Sequence, residues 1–214
     1  LSKPISVPTQ SKPLRVFVAS SNQGKLREYR ALASSAGASI VMELLPNFHA
    51  TPAFEEDEST FAENAAGKAL HYSHFATGLV IADDSGLVVP ALGGAPGVRS
   101  ARYAGPDATD ADRIRKLLGE MSGKHGDERK ARFVCVLAVA ELGQVRGIFS
   151  ASADGELLEV PKGDDGFGYD PIFYFTELGK TYAEISRDEK NLCSHRGKAF
   201  RKALAFLTGT YVDH

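Results

Sequence analysis

Three short apolar runs lie in the first half of the chain, at Arg15–Ser20, Ser39–Leu44 and Leu79–Ala82, and a segment of helical spacing separates each from the next. This alternation constrains the fold more than any other feature. Lys25–Ala36 places Leu26, Tyr29, Leu32 and Ala33 on one face of a helix, and Thr60–Phe75 does the same with Phe61, Ala65, Ala69 and Tyr72. Strand, helix, strand in this order gives parallel strands with helices covering the sheet. The second half reads differently. Asp110–Met121 is an amphipathic helix with Ile114, Leu117 and Leu118 inward. Ala131–Glu141 and Val145–Ala153 are β-rich and joined through Leu142-Gly143-Gln144, a hairpin that adds antiparallel pairing. Ser194–Leu207 closes the chain as a helix. The expected fold class is therefore α/β, a mixed β-sheet flanked by helices, with two lobes and a cleft between them.

Composition narrows the partners. Of 214 residues 43% are hydrophobic and the net charge is −2, so no basic excess marks a nucleic-acid surface. No run approaches the roughly 18 apolar residues of a membrane span. Two cysteines, Cys135 and Cys193, cannot build a disulfide framework, which favours a reducing, cytoplasmic setting. Leu1–Pro13 is polar, carries three prolines and lacks a signal-peptide core, so it reads as a disordered extension.

The breaks between elements carry the chemistry. Ser20-Ser21-Asn22-Gln23-Gly24-Lys25 ends one strand and starts a helix. Its free N–H groups and the Lys25 charge suit a phosphate, although Ser or Asn could simply cap the helix. Glu55-Glu56-Asp57-Glu58 is either a solvated turn or the source of one carboxylate for a divalent cation. Asp83-Asp84 follows an apolar run directly, and adjacent acids are poor strand material. They read as a strand-end turn or as a metal ligand and general base. If the strand continued, the two would point to opposite faces and one alone would meet the cleft. Gly163–Pro171 packs glycines around Phe167 and Tyr169, either a flexible turn with a core Phe or an aromatic platform for a nucleobase. Lys190 and Arg196 flank the start of the last helix, where the helix dipole disfavours cations, which hints at an anion nearby. No His/Cys spacing supports zinc.

Taken together and in order, these segments resemble the Ham1-like family of pyrophosphatases that act on non-standard purine nucleoside triphosphates. The resemblance runs from about Val16 to Leu207. It rests on Ala19–Lys25, Thr60–Ala65, Ala82–Leu87, Leu92–Gly97, Ser100–Gly105, Gly166–Phe173, Glu189–Asn191 and Ser194–Arg196. It implies an elongated mixed sheet, a single two-lobed domain over residues 14–210, a homodimer, and Mg²⁺-dependent hydrolysis of ITP, dITP or XTP to monophosphate and pyrophosphate. By position it gives the triphosphate to Ser20, Ser21, Asn22, Gln23, Gly24 and Lys25. It gives Mg²⁺ to Glu56 and Asp84, with Asp84 also the proton acceptor and Glu55 the other possible ligand. Ser85 touches substrate, and Phe167, Gly168, Tyr169, Asp170, Lys190, His195 and Arg196 line the nucleotide pocket. The rival readings are a pyrophosphatase for modified pyrimidine or standard nucleotides, and a nucleotide sensor without turnover.

Overall fold

The structure is a computed structural model that describes residues 13–20, 22–37 and 39–212, so Ser21 and Leu1–Lys12 lie outside the described residues. Among the described residues seven strands form one open sheet in the order β2-β1-β3-β4-β5-β6-β7. β1 (Leu14–Val18) lies parallel to both β2 (Ile40–Leu44) and β3 (Leu79–Val88). From β3 onward the pairing turns antiparallel, through β4 (Lys130–Glu141), β5 (Gln144–Leu157), β6 (Phe173–Phe175) and β7 (Lys180–Thr181). The expected mixed α/β sheet is present. The hairpin between β4 and β5 turns on Leu142 and Gly143, both at positive φ (50° and 74°), as a two-residue loop requires.

Among the described residues five α-helices cover the sheet: α1 (Gln23–Ser35), α2 (Phe61–Ser73), α3 (Asp110–Glu120), α4 (Arg187–Cys193) and α5 (His195–Tyr211). Strand parity sorts them into layers. Val16 and Val18 of β1, Leu79 and Ile81 of β3, and Leu137 and Val139 of β4 bury against α1 and α5. The alternate residues, Phe17, Val80, Ala82, Val136 and Ala138, bury against Ala65, Ala69 and Tyr72 of α2. A third cluster fills the far end of the sheet, around Leu87, Leu117, Phe133, Phe173 and Tyr182.

Two expectations need correction. The strand that reads Leu79–Ala82 does not stop at the aspartates; it runs through both of them to Val88, paired with β4 along its whole length after Leu79. Two acids are tolerated there because each finds a different set of partners on its own face. And α4 was not expected. Five of its seven residues are polar, and its one large apolar side chain besides Cys193, Leu192, is exposed, so no apolar stripe announces it.

Candidate active site

The site lies where pairing switches from parallel to antiparallel, beyond the carboxyl end of β1. The chain leaves β1 at Ala19 and Ser20, both buried, and enters α1 three residues later. Asn22 caps this helix, its side chain accepting from the Lys25 N–H at 3.2 Å. The Lys25 side chain reaches back to β3, where its Nζ lies 2.8 Å from Asp83 Oδ2. Capping and a cation aimed at the cleft thus coexist in one segment.

Asp83 continues the face of Leu79 and Ile81, and Asp84 that of Val80 and Ala82. Asp83 therefore looks towards α1 and α5. Burial opposes its charge, but Lys25 and Arg196 outweigh burial and hold its carboxyl well below the usual carboxylate range. Asp84 looks towards α2. Asn64, fully buried on that helix, donates to Asp84 Oδ2 at 3.0 Å. Burial and then the nearby Glu56 charge push the Asp84 carboxyl up to about 6. Of the four consecutive acids Glu55–Glu58 only Glu56 turns inward, where its carboxylate bonds Lys68 of α2. Burial lowers the Lys68 pKa, and the Glu56 contact more than restores it.

On the Asp83 side, five chain segments meet in one ionic cluster: β3, α1, the Gly-rich loop, α4 and α5. Arg196, in the first turn of α5 and only 3% exposed, donates to Glu28 Oε2 at 2.6 Å and to Ser85 Oγ at 3.0 Å. Lys190 Nζ lies 2.5 Å from Asp170 and 3.4 Å from Glu28. This revises the expectation about the last helix. Lys190 belongs to the final turn of α4, where the dipole favours a cation, and Glu28 of α1 supplies the anion that Arg196 needs. Ser194 caps α5 by accepting from the Gly197 N–H. His195 is buried with its ring stacked on Phe133 at 4.6 Å. Burial, then the Arg196 and Lys190 charges, push its pKa well down, so it is neutral near pH 7. His195 Nδ1 and Arg196 Nε are buried without hydrogen-bond partners.

Phe167 sits above this cluster, with Lys190 Nζ 4.6 Å and the Arg196 guanidinium 5.4 Å from its ring centroid. Gly24 lets the ring approach the α1 start, since a Cβ there would stand 3.3 Å from it. The Gly-rich loop is fixed by Asp170, which accepts from the Phe167 N–H, and by Asp110 of α3, which accepts from the Gly168 N–H. Tyr169 turns away: it is 3% exposed and its hydroxyl donates to the Ser100 carbonyl. Gly24, Glu28, Phe167, Tyr182 and Lys190 help to line a hollow of about 170 Å³. A larger one, about 550 Å³, lies against α3 on the other side of the same loop but contains none of the ionic cluster. The ionic cluster thus borders the smaller hollow and β3, and these form the candidate site.

Glu28, Asn64 and Lys68 were missed as site residues. Asn64 and Lys68 had a signal, a polar pair spaced i, i+4 on an otherwise apolar helix face. Glu28 had none, since its partner Arg196 is 168 positions away.

Fold and site together define an α/β protein with a charged cleft at the switch in strand pairing. The chain belongs to the Ham1 family, whose model matches residues 16–206. It is 50% identical over 187 residues to a dITP/XTP pyrophosphatase of Geobacillus kaustophilus, covering 87% of this chain and 91% of that one. The solved structure of a HAM1 protein from Coxiella burnetii superposes with a TM-score of 0.82 at 41% identity, covering 92% of this chain and 100% of that one. The Staphylococcus aureus Ham1 protein gives 0.79 at 37% identity, covering 91% and 98%.

Proposed function

We propose that this protein hydrolyses the non-standard purine nucleoside triphosphates dITP, ITP and XTP to monophosphate and pyrophosphate, with Mg²⁺ as cofactor. Membership of the Ham1 family and the names of relatives such as the Geobacillus enzyme support this reading. The observation that carries the chemistry is the sorting of two adjacent aspartates to opposite faces. Asp83 is neutralised by Lys25 and Arg196, whereas Asp84 stands beside a second carboxylate, Glu56.

A dication fits that second face. Glu56 and Asp84 offer the hard oxygen donors that Mg²⁺ prefers, and their mutual repulsion is what a dication between them would relieve. Glu56 and Asp84 would hold it. When bound, it supplies charge neutralisation and polarisation of the phosphate oxygens. The chain's own residues do the rest. Lys25 and the N–H groups of the Ser20–Lys25 segment, Ser21 among them, take the triphosphate. Asp84 accepts the proton of the water that attacks the α-phosphorus. A new P–O bond forms as the α–β bridging bond breaks, and pyrophosphate leaves. Positioning and electrostatics account for most of the rate.

Phe167 stacks on the base, with Gly168 and Tyr169 contributing backbone. Ser85, Asp170 and Lys190 hold the ionic frame around it. His195 and Arg196 read the base edge. A 6-keto group accepts from the donors there, whereas the 6-amino group of adenine leaves them unpaired, which a buried site rejects strongly. The protein acts as a homodimer built from a single two-lobed domain over residues 14–210, and light scattering measures that assembly. Its two thiols, Cys135 and Cys193, are both free, which suits the cytoplasm. No described helix is long and apolar enough to cross a membrane. The test is a panel of purine and pyrimidine triphosphates with Mg²⁺, scored for pyrophosphate against orthophosphate. Pyrophosphate from dITP and XTP is expected. Selective release from pyrimidines, or binding without release, would overturn the reading.

A further inference from the structure

The acidic loop that carries Glu56 has no strand or helix of its own between Pro52 and Ser59. It is held by side chains. Four of them come from α2: Tyr72 accepts from the Phe54 N–H, Asn64 bonds both the N–H and the carbonyl of Glu58, His71 meets the Pro52 carbonyl, and Lys68 takes the Glu56 carboxylate. Among the described residues one further tie comes from another element. Arg102 donates through Nη2 to the backbone carbonyl of Glu56, and the same nitrogen lies 4.0 Å from Asp57 Oδ1.

Arg102 ends the 3-10 segment Gly97–Arg102, and that segment is itself anchored. Ser100 Oγ accepts from the Leu87 N–H at 2.9 Å, three residues beyond Asp84 on β3, and donates to the Gly97 carbonyl. Tyr169 holds the Ser100 carbonyl from the Gly-rich loop at 2.9 Å. Arg102 thus connects a fixed point on β3 to the backbone of Glu56, while Lys68 holds the Glu56 side chain from within.

We propose that Arg102 is a positioning residue for the divalent cation, acting through Glu56. It clamps the loop from outside, so that the Glu56 carboxylate stays beside Asp84. This rests on the reading of Glu56 and Asp84 as the metal-holding pair. Loss of this charge-assisted hydrogen bond should weaken cation binding by roughly 10- to 100-fold.

The test is Mn²⁺ binding to the nucleotide-free protein, followed by electron paramagnetic resonance, in the wild type, Arg102→Ala, Arg102→Gln, Arg102→Lys and Glu56→Gln. Turnover against Mg²⁺ concentration is measured in parallel. Arg102→Ala should weaken Mn²⁺ binding at least 10-fold and raise the Mg²⁺ needed for half-maximal rate, with kcat largely recovered at saturating Mg²⁺. Arg102→Gln and Arg102→Lys, which keep a donor, should recover part of the affinity. If Arg102→Ala does not fold, the Gln and Lys variants carry the test, and wild-type affinity in Asp57→Asn separates the carbonyl bond from the surface ion pair. Weak Mn²⁺ binding in Glu56→Gln with wild-type binding in the Arg102 variants would overturn the role of Arg102 alone. Unchanged binding in Glu56→Gln would overturn the metal-holding pair, and this inference with it.

Discussion

Neutralising Asp84 without changing its shape removes the proposed base and keeps the acceptor that Asn64 needs. Asp84→Asn should therefore lower kcat by about 10²- to 10⁴-fold, the usual worth of a general base. Its Tm should stay within a few degrees of wild type; a variant with near-normal turnover would take Asp84 out of the reaction. Glu28 makes a different kind of prediction. Burial opposes its charge, but Arg196 and Lys190 outweigh burial and lower its pKa. A depressed folded-state pKa contributes stability that is present above the unfolded value, about 4.3, and is lost as pH falls through the folded value. Glu28→Gln should cost roughly 3 kcal/mol at pH 7, because it leaves two buried cations short of an anion. It should also flatten the loss of stability between pH 5 and pH 3. Denaturant melts at several pH values measure both effects, and an acid limb unchanged by the substitution would exclude Glu28 as its source. The contrast between these residues shows what a sequence can disclose. Asp84 stands in a local pattern, next to another acid at the end of an apolar run. Glu28 is an ordinary surface-type residue on a helix until the fold brings Arg196 to it.

At the scale of elements, the Ser194 cap fixes where α5 begins, and so where His195 and Arg196 sit. Ser194→Ala should cost about 1 kcal/mol in a denaturant melt, as N-cap losses usually do. Because the first turn carries two site residues, KM for dITP should rise more than that stability loss alone explains; an unchanged KM would separate the cap from the site. Local chemistry made this cap and this helix legible in the sequence, and the same holds for the Leu142-Gly143 hairpin and for the α1 and α2 faces. The extension of β3 through Asp83 and Asp84 was not legible. Two acids end a strand unless cations and amides wait on both faces, and those groups come from α1, α2 and α5. α4 was hidden for a simpler reason: it buries Lys190 and Asn191 rather than an apolar stripe.

For the whole molecule, the sheet does two jobs. Its parallel half ends in the segment that leads into α1, and its antiparallel half carries the far core and the Gly-rich loop. The two halves share β3, so the strand that joins them also holds both aspartates. Among the described residues, the edge of β5 away from β4 is unpaired beyond its contact with β6 at Glu156 and Leu157, and Lys202 of α5 covers this edge by donating to the Ser150 carbonyl at 2.7 Å. The central claim concerns one bond: water attacks the α-phosphorus beside Asp84. Hydrolysis of dITP in ¹⁸O-enriched water with Mg²⁺, followed by mass spectrometry of both products, tests it directly. The label should appear in the deoxyinosine monophosphate, with unlabelled pyrophosphate. Label in pyrophosphate or in orthophosphate would place the attack at another phosphorus and contradict the account.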